Sequence, residues 1–210
     1  MLIGVPKEIK NHEYRVGFTP TSVREAVRNG HHVLVQNGAG LGIGSSDQDY
    51  INAGAKMVAD APEIFAKADM IVKVKEPQAV ERAMLREGQI LYTYLHLAPD
   101  PEQTKDLVKS GAICIAYETV TNSRGGLPLL APMSQVAGRM SVQSGAHCLE
   151  KAQGGRGMLL GGVPGVSPAK VVILGGGVVG TNAAAIALGM GADVTVIERS
   201  TDRMEELVGR

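Results

Sequence analysis

The strongest constraint on this sequence is a glycine pattern that follows a short apolar run near its C-terminal end. The run is Val171–Leu174, and the glycines Gly175, Gly177 and Gly180 follow it at the G-x-G-x-x-G spacing. Such a pattern is typical of a tight turn that joins a buried strand to a helix. The small residues after the glycines predict the helix, and Val194–Ile197 predicts a second strand. This stretch therefore predicts a strand–turn–helix–strand unit of a parallel sheet.

The predicted unit has the features that a dinucleotide requires. Its glycines allow a tight turn, a close approach of the backbone to a pyrophosphate, and close packing of the helix on the strand. The N–H groups of Val178 and Val179, with the positive end of the helix dipole, favour a doubly charged pyrophosphate. Glu198 ends the second strand, where a carboxylate accepts hydrogen bonds from a ribose diol and repels a 2′-phosphate. We therefore predict NAD binding in preference to NADP, a preference that Arg199 weakens; the alternative is a parallel-sheet turn that binds no ligand.

Composition argues against several other classes of partner. The 21 basic residues balance the 21 acidic ones, and the aromatic side chains are five tyrosines and two phenylalanines. A nucleic-acid-binding protein would need more positive charge and more stacking groups. No apolar run reaches membrane-spanning length, and the N-terminus lacks the apolar region of a signal peptide. We therefore expect a cytoplasmic protein without nucleic-acid or membrane partners, and the two cysteines have no metal-ligand spacing.

Short apolar runs alternate with helical patterns in the first part of the chain. The predicted strands are Leu2–Val5, His32–Gln36, Met70–Val74, Gln89–Tyr92 and Ile113–Ala116. This alternation is typical of a parallel sheet that is wound with helices. Two helix starts are marked by a capping side chain followed by proline, at Thr19 and at Asp100. The fold class is therefore α/β, with two doubly wound, Rossmann-like parallel-sheet domains, the second incomplete in this chain.

The two predicted domains are joined by a long helix. We assign residues 1–130 to a substrate domain, residues 131–153 to the connecting helix, and residues 154–210 to the N-terminal part of an NAD-binding domain. The helix is predicted to carry one apolar stripe, which includes Met133, Val136, Ala137, Met140, Cys148 and Leu149. The small residues Gly138, Ser141, Ser144 and Gly145 would let another helix or another subunit approach closely, and the alternative is packing within the molecule.

Three titratable or cationic residues follow or end predicted strands of the first domain. They are Arg15 after the first strand, Lys75 at the end of the third, and His96 after the fourth. In an open parallel sheet, ligands bind beyond the carboxyl ends of the strands, so these side chains are candidates for one cleft. Each has a structural alternative: a solvated loop Arg, a Lys paired with the adjacent Glu76, and a His with a purely structural role.

Several longer motifs together resemble one known family. They are I-G-V-P-K-E-I-K-N-x-E-x-R-V, V-K-V-K-E-P, T-Y-L-H-L-A, P-M-S-x-V-A-G-R-M-S-V-Q and G-G-R-G-x-L-L-G-G-V-P-G-V, in this order along the chain. In these motifs the sequence resembles the alanine dehydrogenase/pyridine nucleotide transhydrogenase family. The resemblance implies substrate binding by Arg15 and Lys75 and acid/base chemistry by His96. It also implies cofactor contacts at Ser134, Val178, Val179, Glu198 and Arg203.

The reaction implied by this resemblance is the reversible, NAD-dependent oxidative deamination of L-alanine to pyruvate and ammonium, in a homohexamer. Members of the family usually carry Asp at the position of Glu198, a conservative difference that alters the reach of the carboxylate. The resemblance also implies further strands and a catalytic Asp beyond Arg210. We therefore expect the 210-residue chain alone to lack turnover.

Two other functions remain open from the sequence. The first is the NAD(H)-binding subunit of a proton-translocating transhydrogenase, whose fold and glycine motif resemble those of this chain. Lys75 and His96 in their local motifs favour alanine dehydrogenase over that subunit. The second is a non-catalytic module that binds NAD or assembles with other chains.

Overall fold

The computed structural model describes residues 1–208, which form two compact units. The first unit is Met1–Gly126, and the second begins at Leu127. Each unit has its own sheet and its own hydrophobic packing, with two core clusters described in the first unit and one in the second. No helix in residues 1–208 combines the length and the apolar character that crossing a membrane requires.

The first unit alternates strands and helices along its whole length. Its strands are β1 (Leu2–Val5), β2 (His32–Gln36), β3 (Lys56–Val58), β4 (Met70–Val72), β5 (Ile90–Thr93) and β6 (Ile113–Ala116). Its helices are α1 (Pro20–Arg28), α2 (Asp47–Asn52), α3 (Ala61–Lys67), α4 (Ala79–Arg82) and α5 (Pro101–Ser110). Single 3₁₀ turns occupy Leu41–Ile43 and Tyr117–Thr119.

The six strands form one parallel sheet in the order β3-β2-β1-β4-β5-β6. The strand order reverses between β1 and β4, which pair directly with Ile3 opposite Met70. One apolar core lies under α1 and α2, and a second core lies under α3 and α5, so both faces of the sheet are covered. The predicted α/β class with a doubly wound parallel sheet is confirmed.

The predicted helix starts follow from local chemistry. The Thr19 hydroxyl accepts a hydrogen bond from the Ser22 N–H, and an Asp100 carboxylate oxygen accepts one from the Gln103 N–H at 2.9 Å. Each cap therefore satisfies a backbone donor that has no partner within its helix.

The sequence analysis missed β3, because this strand has only three residues and includes an exposed lysine, Lys56.

The second unit is built around the glycine pattern. Its elements are α6 (Ala131–Cys148), β7 (Lys170–Leu174), α7 (Val178–Gly189), β8 (Asp193–Ile197) and α8 (Thr201–Val208), with a 3₁₀ turn at Lys151–Gln153. β7 and β8 pair in parallel along all five residues. One face of this pair packs on α7, and the other face exposes Val172, Leu174 and Ile197.

The buried face of α6 differs from the predicted apolar stripe. Val136 and Met140 are about half exposed, at 46% and 55%, and Cys148 is exposed as well. The face that packs in this unit instead carries Gly138 and Val142. The prediction was wrong at these positions because the absence of a side chain at Gly138 permits a close approach to α7, which outweighs side-chain hydrophobicity. Gly138 therefore serves packing within this unit.

A pair of glycines on α6 tests this packing. A Cβ at Gly138 would lie 2.3 Å from the Val179 carbonyl oxygen, whereas a Cβ at Gly145 would meet nothing within 4 Å. Ala is favoured over Gly in a helix interior by about 1 kcal/mol. We expect Gly145→Ala to raise the free energy of unfolding of this unit by up to that amount, and Gly138→Ala to lower it by roughly 1–3 kcal/mol through overpacking. Urea unfolding followed by circular dichroism measures both, and equal effects would contradict the packing described.

Candidate functional site

The carboxyl edge of the first unit's sheet brings three of the predicted residues to neighbouring strands. Arg15 lies in the loop after β1, Lys75 lies just after β4, and His96 lies in the loop after β5. β1, β4 and β5 are consecutive in the sheet, and the strand order reverses between β1 and β4. A reversal of strand order leaves a crevice at the carboxyl ends of the two strands, because their connections lead to opposite faces.

A buried ion triad lies beneath this edge. Lys73 is fully buried, and its Nζ is 3.1 Å from Glu8 Oε2 and 2.7 Å from Glu81 Oε1. The other oxygen of Glu8 accepts a hydrogen bond from the Val74 N–H at 2.6 Å. Burial raises the pKa of the Glu8 carboxyl, and the charge of Lys73 opposes this effect. The triad connects the loop after β1, the end of β4, and α4.

The two lysines of V-K-V-K-E-P therefore have different environments. Lys73 belongs to the triad, and Lys75 is half-buried two residues later, at the sheet edge. The Thr93 hydroxyl donates to the Lys75 carbonyl oxygen at 2.9 Å, which fixes this backbone against the end of β5. Glu76, the alternative partner considered for Lys75, pairs with Lys10. Sequence reasoning missed the triad, because Glu8 is distant in sequence from Lys73.

Arg15 is oriented by an acidic neighbour. Arg15 Nε and Nη2 donate to the two carboxylate oxygens of Glu13 at 2.8 and 2.6 Å, and the Arg15 backbone N–H donates to Glu13 Oε1 at 2.9 Å. The Glu13 side chain is only 6% exposed, whereas that of Arg15 is 42% exposed. The Arg15 hydrogen bonds lower the pKa of Glu13 to about 2, and Lys75 also contributes to this lowering. The positive charges of Arg15 and Lys75 therefore both act on the Glu13 carboxylate.

His96 occupies an unusual backbone conformation at the same edge. Its φ is +49°, in the left-handed region that residues with a Cβ rarely adopt, and its side chain is exposed. The preceding Leu95 is 2% exposed and anchors the segment in the core under α5. Strained backbone of this kind persists only where surrounding contacts hold it, and it is concentrated at functional sites.

The glycine loop of the second unit fits a pyrophosphate. Gly175 has φ +94°, and a Cβ at Gly180 would lie 1.9 Å from the Gly175 carbonyl oxygen, so the helix packs closely on the turn. A Cβ at Gly177 would meet nothing within 4 Å, which leaves room for a ligand against the backbone. α7 begins at Val178, and the N–H groups of its first turn therefore face this space with the positive end of the helix dipole.

Glu198 and Arg203 both hydrogen-bond to the backbone of the glycine loop, at Gly176. The Glu198 carboxylate accepts hydrogen bonds from the backbone N–H groups of Gly176 at 2.6 Å and of Arg199 and Ser200 at 2.7 and 3.1 Å. The bond from Gly176 is the main cause that lowers the Glu198 pKa. Arg203 Nε donates to the Gly176 carbonyl oxygen at 2.7 Å. A carboxylate offers about four acceptor positions, so Glu198 retains capacity for a ribose hydroxyl.

Ser134 lies on α6 and lines the same cavity as the glycine loop. The cavity has a volume of about 860 Å³ within the second unit, and Ser134 and Arg156 are among its polar lining residues. Five other predicted cofactor contacts also line it, namely Gly175, Gly177, Val178, Val179 and Gly180. A cavity of this size accommodates part of a dinucleotide.

Comparisons with known proteins agree on one family. The model described as "Alanine dehydrogenase/PNT, N-terminal domain" matches residues 4–137, and the corresponding C-terminal domain model matches residues 141–209.

An alanine dehydrogenase from Halomonas elongata is 62% identical over 100% of this chain and 57% of its own length. A solved structure named L-alanine dehydrogenase matches with a TM-score of 0.91 and 54% identity, over 100% of this chain and 58% of that one. A transhydrogenase structure from Sinorhizobium meliloti matches with a TM-score of 0.81 and 27% identity, over 100% of this chain and 62% of that one. The chain spans about half the length of the curated relatives it matches.

The Glu13–Arg15 pair predicts a pH dependence of stability. Because the folded-state pKa of Glu13 is lowered from 4.5 to about 2, the pair stabilises the fold fully above pH 4.5 and ceases to do so as the pH falls through about 2. We expect Glu13→Gln to make the free energy of unfolding depend less on pH in this window. Glu63→Gln, which removes a partly exposed carboxylate paired with Lys67, serves as the control. Urea unfolding at a series of pH values measures the slopes, and equal slopes for Glu13→Gln and the parent would contradict the assignment.

Proposed function

We propose a function on the basis that the chain belongs to the alanine dehydrogenase/PNT family. The whole protein is an NAD-dependent alanine dehydrogenase, which catalyses the reversible oxidative deamination of L-alanine to pyruvate and ammonium. The observation that carries this proposal is the position of Arg15 and Lys75 after β1 and β4, the two strands between which the sheet order reverses. A small carboxylate substrate is bound in that crevice.

The residues at the edge suit the two ends of such a substrate. Arg15 offers a planar set of N–H donors to the carboxylate of alanine or pyruvate, and Glu13 holds its guanidinium in place. Lys75 hydrogen-bonds and polarises the keto oxygen of pyruvate. The His96 imidazole can both donate a proton to the reacting group and accept one from it. In the deamination direction, water adds to the imine formed at the alanine α-carbon, and loss of ammonium gives pyruvate.

The cofactor of the proposed reaction is NAD, and the second unit holds it. NAD, when bound, supplies the acceptor for the hydride that leaves the α-carbon of alanine. The turn at Gly175, Gly177 and Gly180 binds the pyrophosphate, together with the N–H groups of Val178 and Val179. Glu198 binds the adenosine ribose. Ser134 and Arg203 are further cofactor contacts that the family resemblance implies.

The proposal includes the setting in which the protein works. We place it in the cytoplasm as a homo-oligomer, with the homohexamer of the family as the expected assembly. Light scattering of the purified protein measures its mass in solution, and a monomer would contradict this part of the proposal.

The transhydrogenase structure from Sinorhizobium meliloti supports a second candidate, an NAD(H)-binding subunit of such a complex. The greater identity to proteins named alanine dehydrogenase, 62% and 54%, favours the first candidate. Alanine-dependent formation of NADH separates the two, because a transhydrogenase subunit has no use for an amino-acid pocket.

The acid/base role of His96 is tested in a full-length protein that contains these 210 residues. A positioned proton-transfer group contributes about 10²–10⁴-fold to a rate. We expect His96→Ala to lower kcat for alanine within this range and to leave the dissociation constant for NADH within about threefold of the parent value. His147→Ala, at an exposed position on α6, is the matched control. A His96→Ala rate within a few-fold of the parent would remove His96 from the mechanism.

Cofactor preference tests the role of Glu198. The carboxylate accepts hydrogen bonds from the ribose diol and repels a 2′-phosphate, so NADH is expected to bind more tightly than NADPH. Glu198→Gln keeps an acceptor oxygen but removes the charge, and it should narrow the difference between the two dissociation constants. Glu205→Gln, on the exposed side of α8, is the control. Fluorescence titrations with both nucleotides give these constants, and equal affinities in the parent would contradict the assignment.

A further inference from the structure

The strained conformation of His96 has a specific cause in the structure. A φ of +49° costs conformational free energy in a residue with a Cβ, and it persists where neighbouring groups hold the backbone. The Glu118 carboxylate provides such a contact: its Oε1 accepts a hydrogen bond from the His96 N–H at 2.6 Å. The same carboxylate accepts a hydrogen bond from the Leu95 N–H, at 3.1 Å from Oε1 and 3.3 Å from Oε2. One carboxylate therefore binds two successive backbone donors.

The sheet register places Glu118 beside this segment. β5 and β6 are parallel, with Thr93 opposite Ala116. Counting two residues onward from each strand puts Glu118 opposite Leu95, where the ladder of backbone hydrogen bonds has ended. The Glu118 carboxylate thus takes the place of a backbone carbonyl of the neighbouring strand. It accepts the hydrogen bonds of the Leu95 and His96 N–H groups, which lie beyond the end of the ladder.

Neighbouring side chains keep Glu118 in this position. Tyr117 packs edge-on against the rings of both Tyr92 and Tyr94, with centroid separations of 4.3 and 4.9 Å. This packing fixes the 3₁₀ turn Tyr117–Thr119 against the end of β5. On the other side of the peptide unit, the buried Gln103 side chain donates to the Leu95 carbonyl oxygen at 2.6 Å.

We propose that Glu118 is a positioning residue that holds His96 in the conformation from which its imidazole reaches the substrate. The proposal rests on the acid/base role proposed for His96. Glu118 acts through the His96 backbone, so its removal changes where the imidazole lies without removing the imidazole itself. A small misplacement of a reacting group lowers the rate much more than it weakens substrate binding.

Hydrogen exchange in the 210-residue chain tests the contact itself. Hydrogen bonds to a charged acceptor are among the strongest in proteins. We expect Glu118→Ala to speed exchange of the His96 and Leu95 amides by roughly ten- to hundredfold. Glu118→Gln keeps one acceptor oxygen and should restore part of the protection. The Tyr94 amide, which bonds to the Val74 carbonyl oxygen within the sheet, is the internal reference for correct folding. Unchanged exchange at His96 in Glu118→Ala would overturn the proposal, whatever the role of His96.

A double-mutant cycle in a full-length protein that contains these residues tests the consequence for catalysis. We expect Glu118→Ala to lower kcat by roughly 10–100-fold, with KM for alanine changed less than threefold. In a His96→Ala background the same substitution should have no further effect on kcat. If Glu118→Ala lowers kcat by the same factor in the His96→Ala background as in the parent, the two substitutions act independently and the proposal is overturned. If His96→Ala itself leaves kcat unchanged, the acid/base role fails and the catalytic part of this proposal fails with it, although the exchange result can still stand.

Discussion

The structure of the first unit depends on the burial of one lysine between two carboxylates. Lys73 has no exposed surface, and a buried charge is tolerated only where opposite charges and hydrogen bonds compensate its lost hydration. Glu8 and Glu81 provide this compensation from the loop after β1 and from α4. Because the pairing is possible only when these segments converge, the triad fixes the crevice between β1 and β4.

At the sheet edge, a carboxylate holds two of the three predicted site residues. Glu13 holds the Arg15 guanidinium, and Glu118 holds the backbone of His96. These carboxylates are less exposed than the residues they hold, so they orient groups that face the solvent. The edge therefore has carboxylates beneath Arg15 and His96, the more accessible residues. Such an arrangement pre-orients these two residues before a ligand binds.

The fold was largely predictable from the sequence, because apolar runs and capping residues are local signals. The bounds of β1, β2 and β6 agree with the predicted strands. The motifs also placed Arg15, Lys75 and His96 at strand ends. The contacts that hold these residues were not predictable in the same way. Glu118 reaches His96 through the register of β5 and β6, which no local pattern specifies.

The prediction for α6 failed for a related reason. Periodicity identifies which residues share a helix face, but it does not show which face packs. At Gly138 the approach of α7 depends on the absence of a side chain, and a hydrophobicity pattern gives no weight to such a position. The more hydrophobic Met140 lies exposed as a result.

The central claim is that the sheet edge at β1 and β4 binds a small carboxylate. The most direct measurement is an NMR titration of the isotope-labelled 210-residue chain with pyruvate. The account predicts that signals of Arg15, Lys75 and His96 shift together with a single dissociation constant. It also predicts that Arg15→Ala abolishes these shifts and that Arg24→Ala, at an exposed position on α1, leaves them unchanged. Shifts confined to other parts of the chain, or shifts that persist in Arg15→Ala, would contradict the claim.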